Sequence, residues 1–231
     1  MKKQIRLTAK LSDRTRYLGW AWFAFELLFL PSLLLHWLGR LNFNDAQVNF
    51  VYYLLNFLFC ARIFRDFLGD SLKRAGKDIV PFLRAIVLGF LGWYLFNELL
   101  TRLLTLVAPG FGNVNDQSIA AMFARSPVLM AIGTVLLVPL AEECLFRGLI
   151  FAQLYKKDKA VAYAITAGAF AAVHVAGYLN QYPPAVLGLC FAQYLIPSLI
   201  LCWAYAHCGT ILAPIFLHTA INAMAIVSLL P

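Results

Sequence analysis

The sequence predicts an all-α fold, a polytopic bundle of about seven transmembrane helices (six to eight). Three observations predict it. Hydrophobic residues fill 62% of the 231 positions, charged residues only 13%, and mean hydropathy is +0.75; soluble domains run near half apolar and a quarter charged. Seven apolar stretches, each close to the ~20 residues a helical span needs, fall at about 17–38, 46–67, 81–107, 127–155, 160–178, 186–206 and 210–230. Lysines and arginines collect in every second connector between them. These features predict a single integral membrane domain over 1–231, with no internal repeat and no low-complexity linker.

The first stretch follows a basic segment, as a signal peptide would. Its apolar core is too long for such a leader, and no small-residue cleavage site follows it cleanly, so it reads as a retained helix. Lys2, Lys3, Arg6, Lys10, Arg14 and Arg16 precede it. Arg62, Arg65, Lys73, Arg74 and Lys77 separate the second and third spans, and Lys156, Lys157 and Lys159 the fourth and fifth. The alternate connectors hold Arg40, Arg125 and little more. The excess of basic residues on cytoplasmic loops therefore puts the N-terminus in the cytoplasm and, with seven spans, the C-terminus outside. Stretches 81–107 and 127–155 are long enough to be tilted or broken. The net charge of +8 sits in short connectors, not on a folded basic face, so no nucleic-acid partner is expected; the lipid bilayer is. The five cysteines (Cys60, Cys144, Cys190, Cys202, Cys208) lack CxxC spacing and mostly fall in apolar runs. They read as small apolar side chains, not as a disulfide framework or zinc site.

All four glutamates, Glu26, Glu98, Glu142 and Glu143, fall inside predicted spans. A carboxylate in hydrocarbon costs several kcal/mol unless it is paired, protonated or facing a polar cavity. Glu26 and Glu98 stand alone, and a structural hydrogen bond and a functional role weigh equally for both. The fourth span reads Pro139-Leu140-Ala141-Glu142-Glu143-Cys144-Leu145-Phe146-Arg147. Adjacent helical residues point about 100° apart, so the glutamates diverge. Glu143 and Arg147 are i,i+4 partners that compensate each other, which leaves Glu142 pointing elsewhere. Pro139 lacks an N–H, which favours a kink and a wetted pocket there. The fifth span carries Phe170-Ala171-Ala172-Val173-His174 among small residues that permit close helix approach. The seventh carries His218 and Asn222, again i,i+4, with Pro214 one turn earlier. His36 and His207 sit near span ends, where an interfacial role is the ordinary reading.

Depth ties three of these helices together. At 1.5 Å per residue from the cytoplasmic ends, Glu142 lies about 20 Å in, His174 about 21 Å, His218 about 12 Å and Asn222 about 18 Å. A carboxylate and an imidazole aimed at one water make a general base. A second histidine and an asparagine supply donors for a developing oxyanion. The set suits hydrolysis of an amide bond by activated water, at an active site within the bilayer. No serine or cysteine nucleophile motif is evident and HExxH is missing. No cofactor is expected; zinc held by two histidines and a glutamate is the less favoured version.

Glu142-Glu143-x-x-x-Arg147, Phe170-x-x-x-His174 and His218-x-x-x-Asn222 resemble, in order and separation, the three motifs of the CAAX-protease and bacteriocin-processing family, also called Abi. The resemblance covers about 90 residues, within a motif-bearing catalytic core of about 127–231, and the first three spans are matched only in hydrophobicity. It implies an intramembrane endopeptidase of the glutamate type. The residues matching Glu142 and His174 would activate water, those matching His218 and Asn222 would form the oxyanion hole, and Glu143, Arg147 and Phe170 would support the site. The implied partner is a membrane-associated peptide or protein, prenylated in some branches of the family. The compact chain with its basic tail resembles the bacterial branch, hence a bacterial plasma-membrane location. Two other classes remain open on sequence: a proton-coupled transporter, since intramembrane carboxylates also form relays, and a non-catalytic immunity or scaffold protein of the same fold.

Overall fold

A computed structural model describes Leu7 and residues 11–230. Of the basic tail, Lys2, Lys3, Arg6 and Lys10 lie outside the described residues. Ten helices follow in order, and no strand occurs among the described residues. Helix α1 spans Asp13–Leu28, capped by Ser12, whose hydroxyl accepts from Thr15 N–H at 3.1 Å. Helix α2, Leu30–Gly39, bends away by 51°. Pro31 sits in its first turn and has no N–H to continue the α1 ladder, which accounts for the break at Phe29. Helix α3, Asp45–Ile63, starts at a capping box between Asn44 and Gln47. It gives way at Phe64 to α4, Arg65–Lys77, at 77°.

The remaining helices are α5 (Ile79–Val107), α6 (Val114–Arg125), α7 (Pro127–Tyr155), α8 (Lys159–Ala176), α9 (Pro184–Cys208) and α10 (Leu212–Val227). Four of these, α5, α7, α8 and α9, are each long and apolar enough to cross a membrane, and the two bent pairs bring the number to six if each counts as one span. The expected first two spans are thus the broken ones, while 81–107 and 127–155 run as unbroken 29-residue elements. The seventh expected span is α10, an apolar helix of only 16 residues.

Burial grades from rim to centre. Helix α5 presents Leu83, Leu88, Leu91, Leu95, Leu99 and Leu106 outward, the surface a lipid-facing helix needs. Helix α7 is the hub: every residue from Cys144 to Phe151 is buried, as expected of a helix that is enclosed all round. Phe64, Phe67, Phe170, Tyr205 and Ile211 close on it. Ala162, Ala167 and Ala171, all nearly or fully inaccessible, let α8 come close to its neighbours. All five cysteines are free and buried.

The ends of the helices sort into two sets. Thr210 Oγ1 donates to the Ser71 carbonyl at 2.9 Å, and Arg74 Nε to that of Cys208 at 3.5 Å, so α4 seats on the α9–α10 turn. At the other end Arg125 pairs with Asp45 at 3.6 Å, and Asn113 Nδ2 donates to Gln193 Oε1 at 2.9 Å. Alternation of the connectors in the sequence is therefore matched by which connectors touch.

Candidate active site

The site is organised by irregularities in α7. Its segment Gly133–Leu137 is π-helical, with Val138 N–H bonded to the Gly133 carbonyl five residues back. In that register the next carbonyl, of Thr134, falls to residue 139, which is proline and has no N–H. The freed carbonyl accepts instead from Asn222 Nδ2 at 2.9 Å. The expected kink is therefore a π turn just before Pro139, a feature common at functional sites, and its by-product is the anchor for a motif residue on α10. Gly133 belongs to this turn for steric reasons: a Cβ there would meet the Tyr53 ring at 2.7 Å. Pro214 does not repeat the arrangement. It lies in the first turn of α10, where an N–H would be unpaired in any case.

The two glutamates diverge. Glu143 is fully buried and bonded to Arg147 Nη1 at 3.0 Å. Arg147, also fully buried, donates through Nη2 to the carbonyl of Ser198 at 3.0 Å and to its hydroxyl at 2.8 Å. Its guanidinium lies 4.7 Å from the Phe170 ring centre. Neither residue lines the cavity; both lie behind it. His218 connects the layers, with Nδ1 at 2.8 Å from Glu143 Oε1 and Nε2 at 3.8 Å from Glu142 Oε2. Glu143 accepts, so His218 Nδ1 carries a proton and Nε2 faces Glu142.

Glu142 is a quarter exposed, and its Oε2 has no hydrogen-bond partner within the protein. His174 is held by Nδ1 against the Phe170 carbonyl at 2.8 Å, with its ring 4.4 Å from Phe170 and 4.2 Å from Tyr194. That arrangement directs its other nitrogen away from the backbone. Glu142, Phe170, His174, His218 and Asn222 together line one cavity of about 420 Å³. Among the described residues no three histidine, cysteine, aspartate or glutamate side chains converge as a metal site would require.

Two features were not read from the sequence. Glu26 accepts from the Tyr52 hydroxyl and from Asn56 Nδ2 at 3.2 Å, while Asn56 Oδ1 accepts from Trp22 Nε1 at 3.0 Å. This buried network shares a small second cavity with Glu142. Tyr52 and Asn56, polar and four apart within an apolar run, are the signal that would have found it. At the mouth, Asp116 Oδ1 accepts from the Tyr194 hydroxyl at 2.7 Å. Desolvation by the surrounding helices raises the Asp116 carboxyl above its ordinary range, and that hydrogen bond and the nearness of His174 pull it back only in part. Glu98, by contrast, forms an exposed pair with Arg102. His207 stacks on Trp203 at 4.8 Å, away from the cavity.

Residues 124–224 match the family model described as type II CAAX prenyl endopeptidase, Rce1-like. This segment is consistent with the CAAX-protease family. The match runs from the end of α6 through most of α10 and contains every cavity residue that the three motifs supply. The family so described is one of prenyl endopeptidases that act on CAAX proteins, and the match covers 101 of the 231 residues. No curated protein and no solved structure gave a significant match.

Proposed function

We propose that the chain is a glutamate-type intramembrane endopeptidase that works without a metal. The observation that carries this reading is the convergence of Glu142, His174, His218 and Asn222, from three helices, on one cavity. Glu142 and His174 hold a water at the scissile carbonyl. As the water oxygen bonds to the carbonyl carbon, its proton passes to Glu142. The negative charge that develops on the carbonyl oxygen meets the second N–H of Asn222, the first being taken by Thr134, and His218 Nε2–H, the ring carrying a proton on each nitrogen in this step. Glu142 then returns the proton to the leaving amine nitrogen, the C–N bond breaks to give a carboxylic acid and an amine, and the acid's remaining proton passes to the amine, so that a carboxylate and an ammonium leave.

The supporting bonds favour this reading. Glu143 and Arg147 fix the His218 ring, Phe170 fixes His174, and the π turn of α7 fixes Asn222. The substrate in this reading is a membrane-associated peptide or protein. Cleavage of a substrate validated with the wild-type protein should be abolished by Glu142→Ala while the protein remains inserted; cleavage near the original rate would remove Glu142 as the base. Purified active protein should carry no stoichiometric zinc and should keep its rate in chelator. Zinc lost together with activity would replace the proposed mechanism with a metal-assisted one.

A further inference from the structure

Glu26 stands on α1, outside the matched segment 124–224, yet it reaches the site from behind. The rings of Trp22 and Phe59 stack 4.0 Å apart, and Phe23 meets the edge of Phe146 at 5.4 Å, which seats α1 against α3 and α7. Only 5% of Glu26 is exposed. The hydrogen bonds it accepts, from the Tyr52 hydroxyl and from Asn56 Nδ2, both fall on Oε2. Its Oε1 has no partner among the described residues, whereas polar atoms enclosed in this way are nearly always paired.

Glu26, Asn56 and Glu142 line the second cavity, of about 50 Å³. Glu142 also lines the main one, so its carboxyl stands in the wall between the two. Its Oε2 is buried without a hydrogen-bond partner in the protein, and His218 Nε2, 3.8 Å away, is beyond hydrogen-bond reach. A water molecule needs about 10–15 Å³ of room and two to four polar partners. The second cavity offers that room and three partners: Glu26 Oε1, Glu142 Oε2 and the second N–H of Asn56, whose first is taken by Glu26.

On the endopeptidase reading above, we infer that Glu26 is a positioning residue for Glu142, acting through a water held in the second cavity. The water donates one O–H to Glu26 Oε1 and the other to Glu142 Oε2, and it accepts from Asn56. One oxygen of the base is thereby tethered, and Glu142 Oε1 is left for the reactive water of the main cavity. A base fixed in this way enters the reaction already oriented, and orientation of a reacting group is worth orders of magnitude in rate. Tyr52→Phe leaves the tether in place, because Asn56 still holds Glu26 and neither end of the water bridge is touched.

Substitutions at Glu26 test this when kcat, KM and unfolding temperature are measured separately with a substrate that the wild-type protein cuts. Glu26→Leu removes the tether and should lower kcat by about 10–10² with KM within about twofold. Glu26→Gln should keep kcat within about threefold, because its carbonyl still accepts from Tyr52 and its amide N–H donates to the water, which still donates to Glu142. A bond that only joined α1 to α3 would lower the unfolding temperature of the leucine variant and leave its kcat unchanged. Ala141 lines the second cavity and not the main one. Ala141→Val fills the water's room with every bond to Glu26 intact; it should lower kcat as Glu26→Leu does, and it replaces that variant if the latter does not insert. Wild-type kcat in Glu26→Leu or in Ala141→Val, or a Glu26→Gln protein as slow as Glu26→Leu, would overturn the inference. Glu142→Ala in the same preparation tells the two levels apart. Cleavage by that protein removes the protease reading, whereas an inactive Glu142→Ala beside an unimpaired Glu26→Leu removes only the role of Glu26.

Discussion

Two ion pairs in this chain share one sequence pattern and almost nothing else. Glu98–Arg102 and Glu143–Arg147 are both Glu-x-x-x-Arg on long apolar helices, with N···O distances of 2.8 and 3.0 Å. The first is half exposed on the glutamate and 74% exposed on the arginine; the second is completely buried. Arg102 has Glu98 as its bonded partner, whereas Arg147 also reaches Ser198 and the Phe170 ring, and Glu143 also holds His218. Spacing creates a pair, but enclosure and third partners turn it into the foundation of a site.

That contrast orders the expected mutational effects. Arg147→Ala should cost about 3–5 kcal/mol of stability, because it strands a buried carboxylate; thermal unfolding in detergent measures this, and a cost below about 1 kcal/mol would mean that the pair is dispensable. Asn222→Ala should lower kcat by about 10²–10³, the usual loss for one oxyanion donor, with a smaller change in KM. Tyr52→Phe removes one hydrogen bond from the buried Glu26 and should cost about 1–3 kcal/mol while cleavage persists; loss of cleavage without loss of stability would place the Glu26 network in the catalytic site instead. Glu98→Ala should change stability by less than about 1 kcal/mol, the smallest effect of the set.

Much of the site was legible because membrane physics penalises every intramembrane charge, which makes Glu142, Glu143 and Arg147 conspicuous in the sequence. Helical periodicity then separated the two glutamates, and axial rise set His174 and Asn222 at the level of Glu142. The breaks at Phe29 and Phe64 were less legible. Only Pro31 marks the first, and the second follows from how α4 lays its apolar face on the bundle while its basic face stays outward. The π turn was invisible too, since a register shift depends on Tyr53 packing against Gly133 from another helix. Its consequence, a carbonyl freed for Asn222, needed both Pro139 and that shift. Glu26 could be assigned only when α3 brought Tyr52 and Asn56 to it.

Paired amide substitutions separate the roles of the adjacent glutamates, Glu142 facing the cavity and Glu143 bonded behind it. Cleavage rate and unfolding temperature should be measured for Glu142→Gln and Glu143→Gln in one preparation with a substrate the wild-type protein cuts. Glu142→Gln should keep the wild-type unfolding temperature and lose cleavage by about 10²–10⁴, the range for a general base. Glu143→Gln should unfold at a clearly lower temperature, since it strands Arg147 and loosens His218. A Glu142→Gln protein that cleaves normally would remove Glu142 as the base, and a Glu143→Gln protein as stable as wild type would remove Glu143 as the support of Arg147 and His218.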